Sequence, residues 1–179
     1  MRILLLGASG FIGSELARAL QQAGHTVTGL GRDKRWAERT LPGLAWIEAD
    51  LRDLRRAEDW HGHLAGIDQV INASGVLQTG LRDNIETVQL GAIQALLVAS
   101  KSAGLSHFIQ ISASNADPVA SNRFMATKGV ADASVAASGL SYTVLRPGLV
   151  IGRNAFGGTE MLRMTASLPF VLPDIEGTG

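Results

Sequence analysis

An uninterrupted apolar run near the start of the chain is followed directly by a glycine-rich turn and then by a helical pattern. Residues 3–6 are all apolar, which predicts a parallel strand covered by helices on both faces. Glycines follow at positions 7, 10 and 13, and apolar residues recur at helical spacing as far as Leu20. The sequence therefore predicts a central strand that turns at once into a helix.

Each glycine of such a turn has a separate role. One permits the tight bend, one lets backbone N–H groups approach a pyrophosphate, and one lets the helix pack closely on the strand. The helix N-terminus favours an anion through its unpaired N–H groups and its dipole. The alternative is a tight turn without a ligand. We predict a dinucleotide-binding turn whose members are Gly7, Ser9, Gly10, Phe11, Ile12 and Gly13.

Composition narrows the class of protein. A chain of 179 residues suffices for one well-filled domain and is too short for two ordinary ones. Its formal net charge of zero argues against a nucleic-acid partner. The absence of cysteine excludes disulfides and thiolate zinc sites and fits a cytoplasmic location. We expect no membrane span and no metal site, because no long apolar segment and no metal-ligand spacing beyond His61-x-His63 is present.

The turn sequence GASGFIG resembles the opening of extended and atypical short-chain dehydrogenases/reductases, a Rossmann family that binds NAD(P). The segments INASG at 71–75, FMATK at 124–128 and RPG at 146–148 follow in the order of that family. Counting the predicted elements gives an α/β fold, a doubly wound parallel sheet in the order 3-2-1-4-5-6. We expect this Rossmann domain to span residues 1–152. Residues 153–179 would begin a C-terminal substrate lobe that is largely absent, and homodimers are common in the family.

The residue after the second predicted strand bears on the choice of cofactor. NAD-binding folds usually place an acidic residue there to hold the ribose hydroxyls. This chain has Gly31 and then Arg32, whose guanidinium can hold a phosphate bidentately. We therefore predict NADP as the cofactor, with NAD as the alternative. Arg32 could instead be a solvated residue of a basic cluster with Lys34 and Arg35.

Two further strand ends carry candidate cofactor contacts. The resemblance implies that an acid after the third strand faces the adenine amino group, and that small residues after the fourth strand let the backbone pass the ribose and pyrophosphate. The alternatives are that Asp50 or Asp53 caps a helix predicted over residues 54–61, and that the small residues reflect packing alone. The candidates at these two ends are Asp50, Leu51, Asn72, Ala73 and Gly75.

The catalytic pattern of the family is only partly present. The family places a tyrosine four residues before a lysine on one helix face, so that the lysine binds the nicotinamide ribose and the tyrosine transfers a proton. Here Phe124 precedes Lys128, and loss of a positioned general acid typically costs about 10²–10⁴ in rate. Ser112 flanks the position of the family's catalytic serine, which Ala113 occupies. Lys128 could alternatively be a surface lysine.

The remaining polar and backbone candidates lie late in the chain. The resemblance implies that Pro147, Gly148 and Leu149 form a wall against the nicotinamide carboxamide. A long helix is predicted over residues 83–103. We interpret four scattered polar residues as helix caps and surface positions without a reciprocal partner, namely Asp117, Asn122, Asp132 and Glu160.

Two functions follow from these patterns. The first is a nucleotide-binding domain with weak or no catalysis, serving as a structural or redox-sensing module. It is favoured by Phe124 and Ala113, and by similarity to the branch that includes the 39 kDa subunit of NADH dehydrogenase and the NmrA-like sensors. The second is an NADPH-dependent reductase, epimerase or dehydratase that acts on a carbonyl or nucleotide-sugar substrate with another proton donor.

Overall fold

A computed structural model describes residues 1–75 and 90–151 of the chain. The predicted substrate lobe at 153–179, the first part of the helix predicted from residue 83, and Glu160 lie outside the described residues. Among the helices of residues 1–75 and 90–151, none is long and apolar enough to cross a membrane.

Within residues 1–75 and 90–151, six parallel strands form one sheet in the order β3-β2-β1-β4-β5-β6, which confirms the predicted topology. A helix follows each of the first five strands, and all the strands are parallel, so their carboxyl ends lie along one edge of the sheet. The elements in chain order are β1 (Arg2–Leu6), α1 (Phe11–Gln22), β2 (Thr26–Gly31), α2 (Lys34–Thr40), β3 (Ala45–Glu48), α3 (Ala57–Leu64), β4 (Gln69–Asn72), α4 (Ala92–Ser102), β5 (His107–Ile111), α5 (Arg123–Ala137) and β6 (Tyr142–Leu145).

The central strand β1 has a hydrophobic cluster on each face. Its side chains alternate between the two sides of the sheet, so Leu4 and Leu6 join one cluster while Ile3 and Leu5 join the other. The first cluster includes Trp60 of α3 and residues of α4, and the second includes Ala17 of α1. This two-sided burial explains why the strand is apolar without interruption.

The start of α3 differs from the prediction. The helix begins at Ala57, because residues 50–54 form a turn in which the N–H of Asp53 donates to the Asp50 carbonyl at 3.0 Å. The interpretation of Asp53 as a cap of this helix is therefore wrong. The carboxylate of Asp59 instead accepts hydrogen bonds from the backbone N–H and the guanidinium of Arg56, each at 2.9 Å.

Candidate functional site

The glycine turn between β1 and α1 is closed by contacts between backbone atoms. Gly7 has φ +72°, and a Cβ atom there would lie 2.7 Å from the carbonyl oxygen of Ala73, at the end of β4. A Cβ at Gly13 would lie 2.0 Å from the carbonyl oxygen of Gly7. Two of the three glycines are therefore required by the turn and by helix packing, as predicted from the spacing.

Gly10 occupies a different position, at the N-cap of α1. Among the described residues, a Cβ there would approach only the Gly7 oxygen, at 3.2 Å, so the turn requires this glycine less than the other two. No side chain caps the helix, and its first turn holds no acidic residue. Backbone N–H donors and a positive dipole end thus lie beside a residue without a side chain, which fits a pyrophosphate group by its chemistry.

At the ends of β2 and β3, charged side chains lie close together. The N–H of Ala49 donates to the Gly31 carbonyl at 3.0 Å, so the strands remain paired up to Arg32 and Asp50. The Arg52 guanidinium binds both carboxylate oxygens of Asp50, with its Nε at 3.0 Å from each. These hydrogen bonds hold the pKa of Asp50 below its usual range, and the positive charge of Arg32 acts in the same direction.

Asn72 at the end of β4 is buried and its carboxamide is bonded within the protein. Its Nδ2 donates to Oε1 of Gln110 on β5 at 2.8 Å, and its Oδ1 accepts from the N–H of Ser74 at 3.1 Å and from the Ser74 hydroxyl. The side chain thereby fixes the course of residues 73–75. It is the backbone of this segment that faces the glycine turn, where it contacts Gly7.

Lys128 lies in α5 and is 5% exposed, so its interpretation as a surface lysine is wrong. Its Nζ donates to the carbonyl oxygens of Ile111 at 3.0 Å and Ser74 at 3.3 Å, which joins α5 to the ends of β5 and β4. Burial lowers the pKa of the ammonium from 10.5 to about 8, and the nearby Asp132 carboxylate opposes this shift. The amine is thus held at the carboxyl ends of β4 and β5, on the same edge of the sheet as the glycine turn.

The two other catalytic candidates flank Lys128. Phe124, which is predicted to stand at the position of the family's tyrosine, lies one turn earlier on α5 and is half-buried. Its phenyl ring has no hydrogen-bond donor. Ser112 is 7% exposed, and its hydroxyl donates to Oδ2 of Asp132 at 2.7 Å. The serine hydroxyl is therefore bonded to a protein carboxylate.

The interpretation of Asp132 as a cap or surface residue without a reciprocal partner is wrong. The residue is 5% exposed, and its Oδ2 accepts from Ser112 and from both Nε and Nη2 of Arg146, each nitrogen at 3.0 Å. Its position four residues after Lys128, on the same helix face, was the signal that could have identified it. Asn122 does cap a helix, since its Oδ1 accepts from the N–H of Met125 at 3.2 Å.

The residues predicted to face the nicotinamide follow β6 directly. Pro147 is half-buried, Gly148 is exposed and Leu149 is 76% exposed. They share the carboxyl edge of the sheet with the glycine turn, because β6 is parallel to β5 and the N–H of Ser112 donates to the Leu145 carbonyl at 2.8 Å. Contacts thus run from Gly7 through residues 73–74 and α5 to the end of β6.

A doubly wound parallel sheet with a glycine turn and an open helix N-terminus after its central strand defines an NAD(P)-binding Rossmann domain. The chain belongs to the NAD(P)H-binding family, which it matches over residues 7–166. It is thereby a member of the superfamily of NAD-dependent epimerases/dehydratases and short-chain dehydrogenases/reductases.

Among curated proteins, the chain is 33% identical over 150 residues to an NAD(P)H azoreductase from Xenophilus azovorans, covering 82% of the chain and 47% of the relative. It is 29% identical over 155 residues to the uncharacterized sugar epimerase YhfK of Bacillus subtilis, covering 83% of the chain and 72% of YhfK. The chain thus spans about half the length of the azoreductase. Among solved structures, it superimposes on the Bordetella bronchiseptica enzyme WbmH in complex with NAD+ with a TM-score of 0.77 at 17% identity, covering 93% of the chain and 62% of WbmH.

Proposed function

We propose that this domain binds NADPH in preference to NADH and has little catalytic activity of its own, serving as a nucleotide-dependent structural or redox-sensing module. The open N-terminus of α1, at the glycine turn, carries the proposal for the dinucleotide. The pyrophosphate would rest on the N–H groups of residues 11–13, and Lys128 would hold the nicotinamide ribose. When bound, the cofactor supplies a hydride, and the protein has to hold or deliver a proton beside it.

The preference for NADPH is supported by the charges at the ends of β2 and β3. Arg32 directly follows β2, where an acid would select the ribose hydroxyls of NAD. The next residue, Asp33, caps α2, since its Oδ1 accepts from the N–H of Trp36 at 2.8 Å. The carboxylate of Asp50 is paired with Arg52. Because both carboxylates are engaged by donors of the protein, the ends of β2 and β3 can accept the dianionic 2′-phosphate beside Arg32.

We expect Arg32→Ala to weaken NADPH binding by about tenfold, the loss of one charge-assisted hydrogen bond, while NADH binding stays within about twofold. Calorimetric titration of both nucleotides at fixed salt measures the two affinities. The control is Arg35→Ala, which removes an exposed guanidinium from the same basic cluster and should change neither affinity. An equal loss of affinity for the two nucleotides would show that Arg32 does not read the 2′-phosphate.

Weak catalysis is supported by the side chain at position 124. A phenyl ring has no proton to give, and the hydroxyl of Ser112 is bonded to Asp132. The site therefore has a residue for the ribose but lacks the usual proton donor next to it.

A phenol at position 124 tests this part of the proposal. We expect Phe124→Tyr to leave NADPH affinity within about twofold and to raise NADPH oxidation with a panel of carbonyl and azo compounds by about 10²-fold or more. Phe124→Leu is the control, because it alters the ring without adding a donor. Rapid turnover by the unmodified protein, with no gain from the tyrosine, would contradict weak catalysis.

The second candidate function is an NADPH-dependent reductase, epimerase or dehydratase acting on a carbonyl or nucleotide-sugar substrate. The buried amine of Lys128 favours it, because a pKa of about 8 makes this group able to exchange a proton near neutral pH. The similarity to an NAD(P)H azoreductase supports the same candidate. In this case residues 1–152 would hold the cofactor and residues from 153 onward would begin the substrate lobe.

A further inference from the structure

The buried carboxylate of Asp132 joins three segments of the candidate site. It accepts from Ser112, directly after β5, and from Arg146, directly after β6, while it is itself part of α5. Arg146 precedes Pro147, the first residue predicted to face the nicotinamide, and Lys128 lies one turn before Asp132 on the same helix. One carboxylate oxygen thus holds together the parts of the protein that would surround the nicotinamide half of the cofactor.

The second oxygen of the same carboxylate has no hydrogen-bond partner in the part of the chain that the structure describes. Oδ1 of Asp132 is buried and accepts no hydrogen bond from any group among residues 1–75 and 90–151. A buried oxygen left without a donor costs free energy. The ion pair of the other oxygen adds little in return, because the Arg146 side chain is 49% exposed. The carboxylate therefore adds little to the stability of the fold. Its hydrogen bonds with Ser112 and Arg146 do, however, fix the positions of two strand ends.

We propose that Asp132 is a positioning residue that sets the geometry of the nicotinamide half of the cofactor site through Ser112 and Arg146. This inference rests on the proposed function, since it requires that the domain binds a nicotinamide dinucleotide. Asp132 itself does not touch the cofactor in this proposal. The adenosine half lies at the other end of the edge, near Arg32 and Asp50, and does not depend on this carboxylate.

Two ligands separate the halves of the site. Binding of NADPH is measured by the fluorescence of its nicotinamide, and binding of adenosine 2′,5′-bisphosphate, which lacks the nicotinamide half, is measured by calorimetry. We expect Asp132→Asn in the full chain to weaken NADPH binding by about tenfold and to leave bisphosphate binding within about twofold. Arg146→Lys keeps the positive charge but loses the planar fork, so it should produce a smaller change of the same kind.

Asp68→Asn is the matched control. It breaks another aspartate–arginine pair, in which Arg2 Nη2 lies 3.0 Å from Asp68 Oδ1, at the opposite edge of the sheet. We expect it to change neither affinity, whatever it does to stability. Equal losses for both ligands in Asp132→Asn, or no loss for either in both Asp132→Asn and Arg146→Lys, would overturn the positioning role. Failure of the unmodified protein to bind either ligand would instead overturn the proposed function.

Discussion

We expect Gly13→Ala to lower the free energy of unfolding by about 3 kcal/mol or more, a large fraction of the stability of a typical domain. The added Cβ would lie 2.0 Å from the Gly7 carbonyl oxygen and 2.9 Å from the Ala8 Cα. Both neighbours are backbone atoms of the turn that follows β1, so neither can move without separating α1 from the central strand. Helix propensity alone predicts the opposite sign, since alanine favours a helix interior over glycine by about 1 kcal/mol.

Gly62→Ala in α3 isolates the steric effect. This glycine is also inside a helix, and a Cβ there would have no described residue beyond its own helix within 4 Å. We expect this variant to gain up to about 1 kcal/mol, the full difference in propensity. Urea unfolding of the three proteins measures the comparison. If Gly13→Ala were as stable as Gly62→Ala, then the close packing of α1 on β1 in the structure would be wrong.

The order of the sheet and the position of the turn could be predicted because they depend on local patterns. The apolar run of β1 reflects burial on both faces, and the turn has to contain glycine wherever backbone atoms meet. Both constraints act on residue types at fixed short spacing, so they are visible in the sequence. The crossover rules for parallel strands then leave few ways to arrange the six strands.

The polar contacts of the site could not be predicted in the same way. Asn72 finds Gln110 at 2.8 Å because β4 and β5 pair in a register that places them side by side. Asp132 can pair with Arg146 only because α5 packs against β6 in the folded domain. A polar residue in a sequence shows what it can bond but not which group the fold brings to it. The sequence therefore does not predict that Asp132 is buried.

The first residue of α3 could not be predicted either, although the contacts that decide it lie close together in the sequence. Asp53 is a good cap by residue type, yet the chain turns at residues 50–54 and the helix starts at Ala57. A buried contact accompanies this turn, because the indole Nε1 of Trp60 donates to the Leu54 carbonyl at 3.0 Å. Tertiary packing of one tryptophan thus outweighs a local capping preference.

A difference in pH dependence is expected between the unmodified protein and Lys128→Met. The folded pKa of Lys128, about 8, is below the value of 10.5 for an exposed lysine, so between these two values the unfolded chain binds more protons than the folded one. The contribution of Lys128 to stability is therefore lowest below about pH 8 and rises as the pH approaches about 10.5. Across that window the unmodified protein should gain about 3 kcal/mol relative to Lys128→Met.

Urea unfolding of both proteins at about pH 7 and about pH 9.5 measures about 2 kcal/mol of this gain, because the rest falls above about pH 9.5. Methionine leaves the carbonyls of Ile111 and Ser74 without their donor, but that cost does not depend on pH and cancels when the two conditions are compared. Lys101→Met removes an exposed lysine of α4 and should follow the unmodified protein at both pH values. Parallel curves for Lys128→Met would mean that the amine stays hydrated and charged in the folded state. A clear gain would mean that the fold carries a buried amine at a cost in stability near neutral pH, as expected for a group kept to bind a ligand rather than to hold the domain together.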